Sequence, residues 1–139
     1  MAANGMTSLA ELQKGHQFPP ATFELTDDWT NAYIASVEDE AIARAGAEFV
    51  PPMAVAALSV RALLEHSSLP PGSLHAGQEL AFSSAVRRGE TLTASARILS
   101  RGERHGAVLM SIELDVDRGP EDVMTGRATI AFPSEGDAL

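Results

Sequence analysis

A chain of 139 residues, 45% of them apolar, is long enough for one domain with its own core. A net charge of −9 disfavours a nucleic-acid surface, which needs basic patches. There is no cysteine, so disulfides, thiolate nucleophiles and thiolate metal sites are excluded. The four histidines, His16, His66, His75 and His105, show no metal-ligand spacing beside a carboxylate, so no metal is expected. Residues 1–15 lack the charged-then-apolar layout of a secretory leader, and the longest apolar run, Phe49 to Leu58, is too short to span a bilayer. The chain is therefore expected to be cytoplasmic, with no membrane and no nucleic acid among its partners.

In chain order, residues 1–15 are small and polar and read as a loose lead-in, with 1–12 and 134–139 as tails of a single domain over 1–139. A short strand is expected at Ala21–Leu25. Thr26 then suits an N-cap, with Asp27 and Asp28 at the positive end of a helix that carries Trp29, Tyr33 and Val37 at i, i+4 spacing. Pro51-Pro52 opens the main helix, since proline costs nothing in a first turn whose N–H groups are unpaired anyway. From Met53 to Val60 the one polar residue is Ser59, which predicts burial on nearly every side. Its hydroxyl is expected to bond back to a carbonyl one turn earlier. The segment from Ser67 to Gly72 ends the helix.

Strands follow. Leu74–Ser83 is the first. Arg88-Gly89-Glu90 turns the chain, and Thr91–Ser100 places Leu92, Ala94, Ala96 and Ile98 on one face. Arg101–Gly106 reads as a polar hairpin loop. Val108, Met110, Ile112, Leu114 and Val116 alternate without a break, Gly119-Pro120 turns again, and Val123–Phe132 closes with Ala128, Ile130 and Phe132 inward. Short links between consecutive strands predict antiparallel meanders, with the long helix covering their apolar face. The fold class is α+β.

Three segments carry a family resemblance. The first is Lys14-Gly15-His16-Gln17-Phe18, followed by Phe23 to Thr26 and by Tyr33. The second is Val50-Pro51-Pro52-Met53. The third is Leu74-His75-Ala76-Gly77-Gln78-Glu79-Leu80-Ala81-Phe82, then Val86 and Arg88-Gly89-Glu90-Thr91-Leu92. In order, over residues 12–133, they resemble the MaoC-like hydratases and the FAS1-like dehydratase domains, a branch of the hot-dog fold in which an antiparallel sheet wraps one long helix. The resemblance implies an enoyl thioester on coenzyme A or acyl carrier protein as substrate, no further cofactor, reversible water addition across the double bond, and pairing as a homodimer or as a heterodimer with another MaoC-like subunit.

It also implies a site. The enolate oxygen falls to backbone N–H groups at the start of the long helix, here Met53 and Ala54, where free donors and a positive dipole end meet developing negative charge. The family's Asp-and-His water site aligns with Val37 to Arg44. Asp39 falls on the aspartate, but Arg44 replaces the histidine, and an arginine stays protonated near neutral pH and cannot act as a base. His75 is the remaining candidate catalytic histidine; its competing reading is a structural residue at a strand start. His66 suits the cation-favouring end of the long helix. Arg87, Arg88, Arg101 and Arg104 are candidates for the phosphates of the carrier arm, against a plain role in surface solvation.

Three functions stay open on the sequence. One is a catalytically incomplete subunit that relies on a MaoC-like partner. Another is a self-sufficient hydratase using Asp39 with an atypical partner residue. The third is a thioesterase or thioester-binding module, disfavoured because Met53–Leu64 holds no carboxylate.

Overall fold

A computed structural model of the chain describes residues 6–37 and 48–134. Its framework is a five-stranded antiparallel sheet in the order β2–β5–β6–β7–β4, where β2 is Ala21–Glu24, β4 Leu74–Phe82, β5 Thr91–Arg104, β6 Ala107–Arg118 and β7 Glu121–Pro133. The helix α1 spans Asp27–Val37 and α2 spans Pro52–Glu65. The sheet's inner face is the one the alternation predicts. Leu92, Ala94, Ala96 and Ile98 of β5, Val108, Met110, Ile112, Leu114 and Val116 of β6, and Ala128, Ile130 and Phe132 of β7 are all buried. α2 lays Ala54, Val55, Ala56, Leu58 and Leu63 onto β5 and β6.

The buried Ser59 hydroxyl donates to the Ala56 carbonyl at 2.6 Å, as expected for a serine on a core face. Burial of α2 is less complete than its composition predicts. Met53 and Ala57, inside the run read as buried, are exposed and continue through Arg61 to Leu64 as one stripe at helical spacing. Thr26 caps α1 by accepting from the Trp29 amide at 3.1 Å, and Trp29 stacks on Tyr33.

Two expectations about the strands are corrected. The polar stretch Arg101–Arg104 continues β5, and the turn shrinks to His105-Gly106, both at positive φ (53° and 78°), the geometry that follows the right-handed twist of a two-residue hairpin. Polar composition there reflects an exposed strand end and not a loop. The meander holds only for β5–β6–β7. β4 pairs with β7 at the far edge, Leu74 opposite Ala131 through Phe82 opposite Met124, so the 83–90 connection must cross the end of the sheet to reach β5. Gly126 lets these two strands approach: a Cβ there would lie 2.8 Å from Leu80 Cδ2 and 3.0 Å from the Glu79 carbonyl oxygen.

The lead-in is also more structured than its composition suggests. Thr7–Ser8 (β1) pairs in parallel with Ser67–Ser68 (β3) at the end of α2. Leu9 opens a single 3₁₀ turn, Leu9–Glu11, and is fully buried. Gly15 to Phe18 then hydrogen-bonds along β5 through Ile98 and Ala96, and β2 continues down the same edge. That edge is covered. β4 presents the other edge, with Leu74 68% and Phe82 40% exposed at its two ends.

A docked lead-in predicts that Leu9→Ala destabilises the domain by about 2–5 kcal/mol, as for other fully buried leucines. Urea unfolding should show a lower midpoint at unchanged slope. A loose tail would leave the midpoint where it is.

Candidate functional site

Backbone donors and apolar space meet at the start of α2. Pro51 is the N-cap and makes no side-chain capping bond, and the first turn holds no acidic residue. Pro51 and Pro52 have no N–H to offer. The Ala54 N–H closes on the Pro51 carbonyl at 2.9 Å. The Met53 N–H has no hydrogen-bond partner among the described residues. Of the two predicted oxyanion donors, Met53 is thus the free one and Ala54 is engaged in tightening the turn. Among the described residues no side-chain anion caps this dipole end, which favours negative charge from a ligand.

Beside this turn lies an apolar cavity of about 150 Å³, lined by Phe49, Val50, Pro52, Val55, Phe82 and Val86 among others. Phe49 and Phe82 stand at its surface, 38% and 40% exposed.

The crossing loop 83–90 fixes the chain that enters α2. The Val50 amide donates to the Val86 carbonyl at 2.7 Å, and the Arg88 amide donates to the Glu48 carbonyl at 3.1 Å. The Arg87 guanidinium pairs with Glu48 and lies over the Phe49 ring, 4.9 Å from its centroid. Arg118, at the end of β6, holds the loop itself. It donates to both Glu90 carboxylate oxygens at 3.0 and 3.1 Å, to the Ala85 carbonyl at 3.1 Å and to the Ser84 hydroxyl at 2.8 Å. It also pairs with Glu121 at 2.6 Å. The Glu121 carboxyl is held below its ordinary value, first by the Arg118 hydrogen bond and then by that of Ser84.

Sequence reasoning passed over Arg118. The signal was there: an arginine and a glutamate flank the Gly119-Pro120 turn, and a second glutamate sits in the Arg-Gly-Glu turn.

The other predicted residues do not gather at this end. His75 lies on exposed β4 and lines a separate apolar cavity of about 120 Å³ with Val60, Leu63, Leu64, Leu69 and Ile130. Leu64 is eleven residues along α2 from Met53, about 16 Å of axis, so within one chain His75 and the free N–H do not share a reacting atom. Arg87 and Arg88 flank the α2 start but are already paired. Arg88 bonds Asn31 at 2.8 Å and lies 3.5 Å from Asp27, and its buried Nε has no partner among the described residues.

Arg101 and Arg104 sit at the other end of β5, roughly 30 and 40 Å of strand from its start. Arg101 donates to the Leu12 carbonyl at 3.3 Å and covers Phe132. The four arginines therefore form no single phosphate site. Asp39 and Arg44 lie outside the described residues.

The outer face of the sheet is polar. Glu79, Arg127, Glu113 and Arg97 stand side by side on successive strands and alternate in sign. Arg97 bonds Glu113 at 3.2 Å. Next to this row the Asp115 carboxyl is pushed up, first by burial and then by Glu113, Asp117 and Asp122, against the opposing pull of Arg97. Among the described residues no group of His, Asp and Glu could hold a metal, and no helix is long and apolar enough to cross a membrane.

No protein-family model matches the chain, and no curated protein sequence matches it. Solved structures do. The 3R-hydroxyacyl-ACP dehydratase complex HadBC of Mycobacterium tuberculosis superposes with a TM-score of 0.70 at 24% identity, over 89% of this chain and 100% of that one. A MaoC-like dehydratase from Rhodospirillum rubrum gives 0.68 at 20%, over 92% and 97%. The fluoroacetyl-CoA-specific thioesterase FlK gives 0.64 at 20%, over 88% and 96%. The chain is a hot-dog domain. Within that fold its structural neighbours include MaoC-like dehydratases and R-hydratases, with thioesterases on the same frame.

The raised Asp115 carboxyl gives a pH prediction. A proton held more tightly in the folded chain stabilises it below the ordinary carboxylate range, and that contribution is lost as pH rises through the raised value. Asp115→Asn should therefore raise Tm at about pH 7, with the gain fading towards about pH 3. Thermal melts across that range check it, and a gain that does not vary with pH would contradict the assignment.

Proposed function

We propose that this chain is a hydratase- or dehydratase-type hot-dog subunit for enoyl thioesters carried on coenzyme A or acyl carrier protein, relying on a MaoC-like partner for proton transfer. The observation that carries the reading is the first turn of α2, which no side chain caps and whose Met53 N–H has no partner among the described residues, beside an apolar cavity. Water addition to the double bond puts negative charge on the thioester oxygen. A fixed N–H at a helix start stabilises that charge, while the apolar wall accepts the acyl chain.

Asp39 is this chain's own carboxylate in the aligned water site, and Arg44 occupies the histidine's place without the ability to take a proton.

Dependence on a partner has separate support. About 150 Å³ is well below the roughly 300–1,000 Å³ of a complete small-molecule site. The open β4 edge, with Leu74 and Phe82 at its ends and the exposed Met53 and Leu64 on α2, offers apolar surface and unpaired backbone groups to a second hot-dog sheet. HadBC, the dehydratase noted above, is itself a complex.

A thioesterase reading is less well supported. The one carboxylate of α2, Glu65, stands at the helix's far end, 4.0 Å from Arg61. Arg87 and Arg88 remain candidates for the carrier's phosphates, since both flank the α2 start; they would have to exchange their present carboxylate and amide partners.

The test is an assay of water addition to crotonyl-CoA and to longer enoyl-CoAs, with the purified chain alone and after mixing with the product of any adjacent MaoC-like gene. Turnover in the mixture only is the expected result. Turnover by the chain alone, abolished by Asp39→Asn, would overturn the partner requirement. Thioester hydrolysis without hydration would overturn the reaction class.

A further inference from the structure

The loop that grips the entrance to α2 has no apolar anchor large enough to explain its position: within 83–90, Val86 is its one buried hydrophobic residue. Charge holds it. Glu90 accepts the Arg87 amide at 2.6 Å and both Arg118 hydrogen bonds, so a single carboxylate closes the turn and ties it to the end of β6. Arg118 also bonds Ser84 and the Ala85 carbonyl, which pins the other limb of the same loop. Glu121 orients the guanidinium from across the β6–β7 turn and receives the Ser84 hydroxyl at 3.1 Å.

From this clamp the path to the helix is short. Val86 holds the Val50 amide, Arg88 holds the Glu48 carbonyl, and Pro51 follows as the N-cap.

We propose that Arg118, acting through Glu90, is a positioning residue for the Met53 N–H, setting where the α2 start points relative to the bound thioester oxygen. The role rests on the function proposed above. Arg118 touches no substrate. It fixes the loop, the loop fixes Glu48–Val50, and the two prolines transmit that placement to Met53 because their φ angles are set by their rings. A planar fork that serves two carboxylates and a carbonyl together is a task lysine cannot fully take over.

The experiment uses the full chain, with its partner where activity needs one, and four variants: Arg118→Ala, Arg118→Lys, Glu90→Gln and, as control, Arg97→Ala, which breaks the outer-face pair with Glu113. Amide hydrogen exchange is read first. Arg118→Ala and Glu90→Gln should speed exchange at Val50, Arg88 and Ala54, whose amides are hydrogen-bonded at or beside the α2 start, by tenfold or more, while Ile112 in the central ladder stays protected; Arg118→Lys should fall between, and Arg97→Ala should change none of the three.

Turnover is read second. Misplacing the donor by a fraction of an ångström should lower kcat between about 10- and 100-fold with KM little moved, because the N–H acts on charge that develops in the transition state. Unchanged exchange at Val50 and Ala54 in folded Arg118→Ala overturns the proposal, as does a rise spread evenly over the whole domain. Should Arg118→Ala fail to fold, Glu90→Gln, which keeps the shape, decides on the same readings. If no form of the protein hydrates an enoyl thioester, the proposed reaction falls while the exchange pattern still decides whether Arg118 sets the α2 start.

Discussion

The packing of one helical stripe on one sheet face is the interaction on which everything else rests. Val55, Leu58 and Leu63 of α2 meet an inner surface made by every second residue of β5, β6 and β7, and all of these side chains are excluded from water. Each large apolar group buried this way contributes about 1.5–3 kcal/mol before chain entropy is set against it. The stripe fixes how α2 lies across the sheet. Its N-terminal end is thereby held over the end of β6 and β7, where Ser84–Glu90 crosses, and its C-terminal end over the β5–β6 hairpin side. The free donor and His75 belong to opposite ends for that reason.

A second constraint follows from strand order. Because β4 pairs with β7 and not with β5, its outgoing connection has to traverse the sheet end directly below the entrance to α2. A loop forced into that position would present unpaired backbone groups. They are satisfied by a reciprocal set: Ser83 to Val123, Val50 to Val86, Gly89 to Leu25 and Leu25 to Glu90. The same bonds that settle the loop therefore settle the site. Placing the donor and holding the fold together are, at this end, one set of contacts.

The sequence was most legible where period and burial coincide. β6 alternates without interruption, so its core face could be written down residue by residue. The helix start announced itself through Pro51-Pro52, and Thr26 through the acidic pair behind it.

Three features were not legible. Thr7–Leu9 looks like any polar lead-in, because one buried leucine and a two-residue strand pairing leave no periodic trace. The position of β4 is a matter of which strand it chooses, and local alternation is silent on non-local pairing. The arginines were grouped by sequence proximity and residue type, whereas the structure separates them by the length of a strand and gives Arg87, Arg88 and Arg101 partners that no spacing rule would name. Arg118 was overlooked for the matching reason: its partners lie 28 and 34 residues away as well as three.

Gly126 carries a consequence for the open side of the sheet. Any side chain there would press on the Glu79 carbonyl and the Leu80 methyl, so the β7–β4 ladder keeps its ordinary spacing at this point because position 126 carries no Cβ. β4 is held to its neighbour by a main-chain ladder that runs from Leu74 to Phe82. Whatever adds to its far side meets a template of fixed height and pitch, and must conform to it. An incoming strand is thus selected by backbone geometry before any of its side chains are compared.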